Sequence, residues 1–340
     1  MTSTAGVDAT IREPEVEEMS ILEAIRASLT AEMANDERVM VLGMDVGQLG
    51  GVFRVTRGLK DRFGAERVVD TPLAEGAIVG ASLGLAIGGM IPVAEIQFLG
   101  FTHQAFHQIG PQLARFRFRS RGRYHAQVTI RAPYGGGTRT PEFHADAIES
   151  QHALSPGLKI ACPAFPDDAK GLLTQAIRDP DPVLFLEPQR LYRRIRGAVP
   201  VGDHVVPFGE SRLVREGSDL LFVAWSAAVH MCLEAAAELA RDGVSAAVLD
   251  LRTLNPLDVA GLIKAFTPIG RAVIVQEAVL TAGFAGEIAA TLQESAFSVM
   301  DAPIRRVAAW DAPYPPGALE DFFLPSVRRI LLTARQVLAY

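Results

Sequence analysis

Short apolar runs that alternate with amphipathic stretches limit the fold of this chain more than any other feature of its sequence. Runs rich in β-branched and other apolar residues lie at 39–43, 128–131, 159–162 and 183–186. Stretches with helical periodicity, such as 21–33 and 167–178, lie between them. Strands that alternate with helices in this way are typical of a mostly parallel sheet covered by helices on both faces. We therefore predict an α/β fold.

The alternation lapses once and then begins again. Residues 196–217 are rich in glycine, proline and polar side chains, which predicts a linker. Beyond it, strand-like runs at 220–225, 245–251 and 271–276 alternate with helical patterns at 227–241, from about 257, and at 282–294. We expect two tandem α/β domains, at 19–195 and 218–340. Residues 1–18 hold five acidic residues and no apolar stretch, so we expect a mobile N-terminal arm and no signal peptide.

Charge and cysteine content exclude several functional classes. The chain has 340 residues, with 33 Lys and Arg against 39 Asp and Glu, and a net charge of −6. This acidic balance argues against nucleic-acid binding through phosphate contacts. The two cysteines, Cys162 and Cys232, are too few for a disulfide framework or a structural zinc site, and they indicate a reducing, cytoplasmic location.

Residues 76–94 carry no charge and are long enough to be considered as a membrane span. A glycine pair at 88–89 and a proline at 92 interrupt the segment, so we predict no membrane insertion. Before this break, glycine recurs at every fourth residue from Gly76 to Gly88, which leaves one helix face without side chains. We expect a buried helix that packs closely against a partner surface.

Glu75 lies immediately before this glycine-faced segment. An acid in the first turn of a helix complements the positive end of the helix dipole. A glutamate removed from water at this position is also suited to hold a proton or exchange it with a heterocyclic nitrogen. The spacing alone leaves both interpretations open.

Several motifs together make the sequence recognisable. They are Asp70-Thr-Pro-Leu-Ala-Glu75, Ala94-Glu-Ile-Gln-Phe98, Leu184-Phe-Leu-Glu187-Pro, Val248-Leu-Asp-Leu-Arg-Thr253 and Asp311-Ala-Pro-Tyr-Pro315. In combination they resemble the β subunit of 2-oxo acid dehydrogenase E1 components, of the branched-chain or pyruvate type, over residues 19–340. The resemblance implies a transketolase-like pyrimidine-binding domain at 19–195 and a transketolase C-terminal domain at 218–340.

The resemblance implies an oxidoreductase that uses thiamine diphosphate, shared between an α and a β chain. In an α2β2 heterotetramer, the chain would decarboxylate a branched-chain 2-oxo acid or pyruvate and pass the acyl group to the lipoyl E2 acyltransferase. The sequence contains no Gly-Asp-Gly motif, with which thiamine enzymes generally bind Mg²⁺ and the diphosphate. We therefore expect the α subunit to bind Mg²⁺, and this chain to be inactive alone.

The resemblance also implies site residues. Glu75 matches the family glutamate that hydrogen-bonds N1′ of the aminopyrimidine ring. His144 matches an active-site histidine linked to acyl transfer onto lipoyl-lysine, and a loop histidine without a role stays an alternative. Phe101 falls where the family often has an aromatic residue near the pocket, with Gln97 just upstream. A role for Phe101 in the core also stays open.

A structural potassium ion is a further expectation from the resemblance, because the family binds one in the β subunit. Asp179 and Asp181 align with the ligand loop of that site. The carbonyl groups of Ala126 and Val128 would complete it. Hard oxygen ligands suit such an ion.

Two departures from the family pattern keep other functions open. Met44 replaces a glutamate of a buried acidic network, and the segment after His144 reads Ala-Asp-Ala-Ile-Glu. A non-catalytic scaffold that kept the fold is therefore one alternative, and an acetoin-type E1 β subunit is a closer one. The sequence does not distinguish between the possible 2-oxo acids, because the α chain supplies much of the pocket.

Overall fold

The structure, a computed structural model, describes residues 15–340. The strands are β1 (Val16–Ser20), β2 (Val39–Gly43), β3 (Val68–Asp70), β4 (Ile91–Glu95), β5 (Thr129–Tyr134), β6 (Lys159–Ala161), β7 (Val183–Pro188), β8 (Arg196–Pro200), β9 (Arg212–Arg215), β10 (Leu220–Ala224), β11 (Ala246–Asp250), β12 (Thr253–Asn255), β13 (Ala272–Val279) and β14 (Arg305–Ala309). The α-helices are α1 (Ile21–Asn35), α2 (Leu59–Phe63), α3 (Glu75–Ile87), α4 (Phe116–Arg119), α5 (Glu149–Ala153), α6 (Pro166–Arg178), α7 (Ala227–Arg241), α8 (Val259–Phe266), α9 (Ala285–Ala296), α10 (Glu320–Phe323) and α11 (Val327–Leu338). This order of elements confirms the α/β fold.

The first sheet has the strand order β12-β6-β7-β5-β4-β2-β3. All neighbouring pairs are parallel except β12 with β6. The sheet separates two buried clusters, and successive residues of β2 belong to different ones: Val41 packs with α1 and α6, whereas Leu42 packs with α3. Both faces are therefore covered, as the continuous apolar runs predict.

The helices α1 and α6 begin at residues suited to that position. Ser20 caps α1, and its backbone N–H donates to the carboxylate of Glu23 at 2.7 Å, which forms a capping box. α6 begins with Pro166, whose missing N–H is not needed in a first turn. These two helices correspond to the patterns at 21–33 and 167–178, whose prediction as helices is confirmed.

The second sheet has the order β14-β13-β10-β11-β9, and β9 is its antiparallel edge strand. Its helix α7 spans Ala227–Arg241, the range that the apolar periodicity predicts. The two halves of the chain pack against each other. β12 of the second half pairs with β6 of the first sheet, and one buried cluster holds residues of both halves.

Two boundary regions differ from the sequence prediction. Residues 1–14 of the expected N-terminal arm lie outside the described residues, but Val16–Ser20 forms β1, which pairs antiparallel with β8. The expected linker 196–217 contains β8 and β9. Short edge strands form through partners that are distant in sequence, and local composition does not show such partners. The domain division itself stays a prediction.

No helix of residues 15–340 is long and apolar enough to cross a membrane. Within α3, Ile78, Val79 and Ser82 are buried, whereas Gly80 and Gly84 lie on an exposed side. A Cβ atom at Gly84 would meet no other atom within 4 Å. In the single chain, the part of the glycine face formed by Gly80 and Gly84 is therefore open.

Candidate active site

The parallel strands of the first sheet end at one edge, and polar side chains follow these ends, among them three predicted site residues, Glu75, Gln97 and His144. Asp45 follows β2, Glu75 follows β3, Gln97 follows β4, and His144 follows β5 after a longer loop. Gln189 comes directly after β7. Ligands of α/β sheets bind outside the carboxyl ends of the strands, so this edge is the candidate active site.

Glu75 is the first residue of α3, and its side chain is partly exposed. Within residues 15–340 its carboxylate makes no hydrogen bond and no ion pair. A Cβ atom at the next residue, Gly76, would lie 3.1 Å from the carbonyl oxygen of Gln104. The start of α3 therefore packs closely on the short 3₁₀ segment Leu99–Ala105, which carries Phe101.

Phe98, Phe101 and His144 form an aromatic group at this edge. The ring centroid of His144 lies 4.6 Å from that of Phe98 and 5.0 Å from that of Phe101. Tilted and edge-on rings at these distances attract one another. The structure thus brings together two of the predicted site residues. Phe101 is half-buried and packs on the core with one side, so it contributes to both the core and the site edge.

The imidazole of His144 has a defined tautomer when neutral. Its Nδ1 lies 2.9 Å from the carbonyl oxygen of Glu142. Because a carbonyl only accepts, Nδ1 carries the hydrogen and Nε2 has the lone pair. Such a ring can take up a proton at Nε2.

Two contacts within the first half of the chain fix the backbone at His144. Gln189 Nε2 donates to the carbonyl oxygen of His144 at 2.8 Å. A Cβ atom at Gly100 would collide with the carbonyl oxygen of Phe143, so only glycine allows the loop to lie this close to the segment Leu99–Ala105. The sequence reasoning missed Gly100 and Gln189.

Gln97, the other predicted cofactor-binding residue, is 9% exposed. Its Nε2 lies 3.5 Å from Oδ2 of Asp45, a long hydrogen bond that links the ends of β4 and β2. Asp45 has a φ of 60°, in the left-handed region that few non-glycine residues adopt. Its carboxylate is therefore held beside Gln97 by an uncommon backbone conformation.

A buried ionic network lies beneath the site. Arg131 of β5 donates from Nε to Glu187 at 2.6 Å and from Nη1 to Glu95 at 2.8 Å, and the Tyr192 hydroxyl donates to Glu187. All four side chains are almost fully buried. Burial opposes the charge of Arg131, but the carboxylates of Glu187 and Glu95 outweigh it and raise its pKa. Burial raises the pKa values of Glu95 and Tyr192.

This network ties three neighbouring strands together just before they reach the site. Removing one partner of a buried charge pair leaves the other uncompensated, which typically costs 3–5 kcal/mol. In the sequence, the sign of this network was Arg131, a charged residue within the apolar run 128–131. Its partners could not be identified there, because they depend on the order of the strands.

The residues expected to bind potassium lie at the opposite edge of the sheet, where β5 and β7 begin. Lys159 Nζ lies 2.6 Å from both carboxylate oxygens of Asp179, and Arg117 Nε lies 2.6 Å from Oδ1 of Asp181. Basic side chains therefore already neutralise both carboxylates. The carbonyl oxygen of Val128 accepts from the N–H of Val183 at 3.0 Å.

Thr129, which the sequence reasoning missed, supplies a further oxygen at this edge. It is buried, and its hydroxyl has no hydrogen-bond partner among the described residues. A buried hydroxyl without a partner is costly, so this oxygen is available as a ligand. The potassium site stays a prediction, with carbonyl and hydroxyl oxygens favoured over the carboxylates.

Known families and proteins match the chain over most of its length. Residues 17–194 match the transketolase pyrimidine-binding domain and residues 209–330 the transketolase C-terminal domain. The chain is 47% identical over 323 residues to the pyruvate dehydrogenase E1 component subunit beta of Bacillus subtilis, covering 95% of this chain and 99% of that protein. The subunit of the same name from Staphylococcus epidermidis has the same identity and coverage.

Two solved structures share the fold. A split-gene transketolase, described as an inactive β4 tetramer, superposes with a TM-score of 0.75 at 22% identity, covering 94% of this chain and 98% of that chain. Transketolase from Leishmania mexicana gives 0.69 at 17% identity, covering 96% and 46%. The fold is thus that of the transketolase class. Within that class, the chain belongs to the family of β subunits of 2-oxo acid dehydrogenase E1 components.

Proposed function

We propose that this chain is the β subunit of a pyruvate dehydrogenase E1 component, which works with an α subunit and thiamine diphosphate. The observation that carries the proposal is Glu75, a carboxylate without a partner in residues 15–340, at the carboxyl edge of the first sheet beside the segment that carries Phe101. The relatives compared above are pyruvate dehydrogenase subunits, which supports pyruvate over a branched-chain 2-oxo acid.

The residues at this edge suit the aminopyrimidine end of the cofactor. A carboxylate free of protein partners can accept a hydrogen bond from a ring nitrogen, and the half-buried Phe101 offers flat apolar surface to an aromatic ring. When bound, thiamine diphosphate supplies the carbon nucleophile and the electron sink for loss of carbon dioxide. Glu75 would hold and exchange the proton at N1′.

For His144 we propose a role in passing the acyl group to the lipoyl group of E2. Transfer joins one sulfur of the lipoyl disulfide to the acyl carbon and leaves the other as a thiolate, which needs a proton. Histidine donates and accepts protons near neutral pH. His144, with Nδ1 bonded to a carbonyl oxygen and Nε2 free of partners in the described chain, would carry that proton on Nε2.

A missing cofactor-binding motif and an exposed helix face both support a partner subunit. It contains no Gly-Asp-Gly motif, so we propose that the α subunit binds Mg²⁺ and the diphosphate. The part of the glycine face of α3 at Gly80 and Gly84 follows Glu75 on the same helix and is open in the single chain, which supports a partner surface near the site. We propose an α2β2 heterotetramer with E2 as the acyl acceptor.

A substrate screen tests this function. The chain is co-expressed with an E1 α chain, the complex is supplied with thiamine diphosphate and Mg²⁺, and 2-oxo acids are compared with an artificial electron acceptor. We expect kcat/KM for pyruvate to exceed that for 3-methyl-2-oxobutanoate by at least ~10-fold, because each added methyl group must fit the pocket.

Each other result points to a different function. Preference for the branched acid would assign the branched-chain type, and turnover of acetoin would assign the acetoin type. A complex that forms but turns over none of these compounds would favour the non-catalytic scaffold.

A further inference from the structure

The loop that carries His144, residues 135–145, begins against side chains from the second half of the chain. A Cβ atom at Gly135 would collide with the carboxylate of Glu277, and one at Gly136 with the hydroxyl of Tyr314. Gly135 also has a φ of 79°, which favours glycine. Glycine at these two positions therefore lets the loop lie this close to the second half without displacing these side chains.

Glu320 of α10 holds the middle of the loop. It is 1% exposed, and its carboxylate oxygens lie 3.1 and 3.3 Å from the backbone nitrogen of Arg139, which donates to them. The Tyr314 hydroxyl donates to the same carboxylate. Hydrogen bonds to an ionised group are roughly twice as strong as neutral ones. The guanidinium of Arg139 adds a bond of 2.7 Å to the exposed carboxylate of Asp321.

The end of the loop is held by apolar packing. Ala145, the residue after His144, is 2% exposed and belongs to a buried cluster with Tyr314, Phe323 and Leu324. His144 therefore lies between the Arg139–Glu320 contact on one side and this cluster on the other. Residues 314–324 of the second half thus form the surface against which the loop packs.

We propose that Glu320 and Tyr314 are positioning residues for His144, and that their contacts place its imidazole for acyl transfer to the lipoyl acceptor. The proposal rests on the role of His144 proposed above. A misplacement of about 1 Å can cost ~10²-fold in rate. The loss falls on the step that uses His144, whereas decarboxylation, which depends on Glu75, continues.

Glu320→Ala in the α–β holoenzyme tests this division of steps. We expect acylation of a free lipoyl domain to fall by about 10- to 100-fold. Turnover with an artificial electron acceptor should stay within about twofold, because it bypasses His144. Glu320→Gln keeps one oxygen acceptor, which can replace the Oε1 that accepts from both Arg139 and Tyr314, and should recover most of the acylation. The matched control is Asp321→Asn, whose side chain is 71% exposed and whose ion pair contributes little.

Trypsin cleavage after Arg139 gives a readout that needs no activity. The Arg139 side chain is 56% exposed, but its backbone is held by Glu320. Opening of the loop should make Glu320→Ala and Tyr314→Phe more susceptible at the 139–140 bond, by about 10-fold for the former. Asp321→Asn should be cleaved at the wild-type rate. Cleavage at this bond can be followed by mass spectrometry in each variant.

The outcomes separate the positioning proposal from the role of His144. Selective loss of acylation together with faster cleavage supports the proposal. Equal loss of both activities, or unchanged cleavage in Glu320→Ala and Tyr314→Phe, overturns it. If His144→Ala leaves acylation intact, the proposed role of His144 is wrong, while the cleavage assay still decides whether residues 314–324 hold the loop.

Discussion

Glu149 is a buried carboxyl group between the two halves of the chain, and its replacement by glutamine has a pH-dependent effect that can be worked out from the structure. The side chain is 0% exposed, and Oε1 accepts from Nε1 of Trp225 at 3.3 Å. Oε2 has no hydrogen-bond partner among the described residues. Burial, with a smaller contribution from the carboxylate of Glu277, raises the pKa of Glu149 from 4.5 to about 7.

The sign and size of the effect follow from this shift. Between pH 4.5 and 7 the folded chain binds a proton at Glu149 that the unfolded chain has released, so the free energy of unfolding falls as pH rises. A shift of about 2.5 pKa units corresponds to about 3 kcal/mol. Below pH 4.5 this stabilisation is fully present, and above pH 7 it is lost. Glu149→Gln carries no titrating group and should show no such loss.

Urea unfolding at several pH values from 4.5 to 8 measures this difference. In a Trp310→Phe background, Trp225 is the only tryptophan and its fluorescence reports on the surroundings of Glu149. We expect Glu149→Gln to gain about 3 kcal/mol relative to the parent chain between pH 4.5 and 8, and then to level off. The control is Glu294→Gln, which changes an exposed side chain. A difference between Glu149→Gln and its parent that stays constant with pH would refute the reasoning.

Two further predictions concern assembly and the potassium ion. Gly80→Leu should abolish α–β assembly in sedimentation experiments, because its side chain fills the open face of α3. The control Ala237→Leu, at an exposed position, should assemble normally. A Gly80→Leu chain that still assembles would contradict a role of the glycine face in assembly. If potassium binds beside Thr129, exchange of K⁺ for Na⁺ should lower the Tm of the wild type but not of Thr129→Val. Without an ion, Thr129→Val should raise the Tm by removing a buried hydroxyl that has no partner.

The sequence was sufficient to predict the kind and order of most elements. The helix predicted at 227–241 matches α7, and the strand predicted at 183–186 is the first part of β7. Apolar periodicity is a local property, so it can be recognised in the sequence without knowledge of the fold. The pairing of β12 with β6, and of β1 with β8, joins segments that are distant in sequence and could not be predicted from composition.

The sequence named candidate site residues, whose roles stay predictions, but it did not show how the site is arranged. Glu75, Phe101 and His144 were named through motifs, whereas the contact between Phe101 and His144 depends on the strand order at the carboxyl edge of the first sheet. Gln189 was missed because its contact with His144 joins two loops that are far apart in sequence. Such contacts are fixed by the tertiary fold and leave no periodic signal.

The release of carbon dioxide from pyruvate by the α–β complex, compared between wild type and Glu75→Gln, tests the central claim most directly. We expect the variant to lose at least ~10²-fold in rate, because it cannot hold and exchange the proton at N1′. Assembly and Tm should not change, since the Glu75 carboxylate has no partner within residues 15–340. Glu66→Gln, at an exposed position, should retain full activity. A Glu75→Gln complex that keeps most of the wild-type rate would contradict the account.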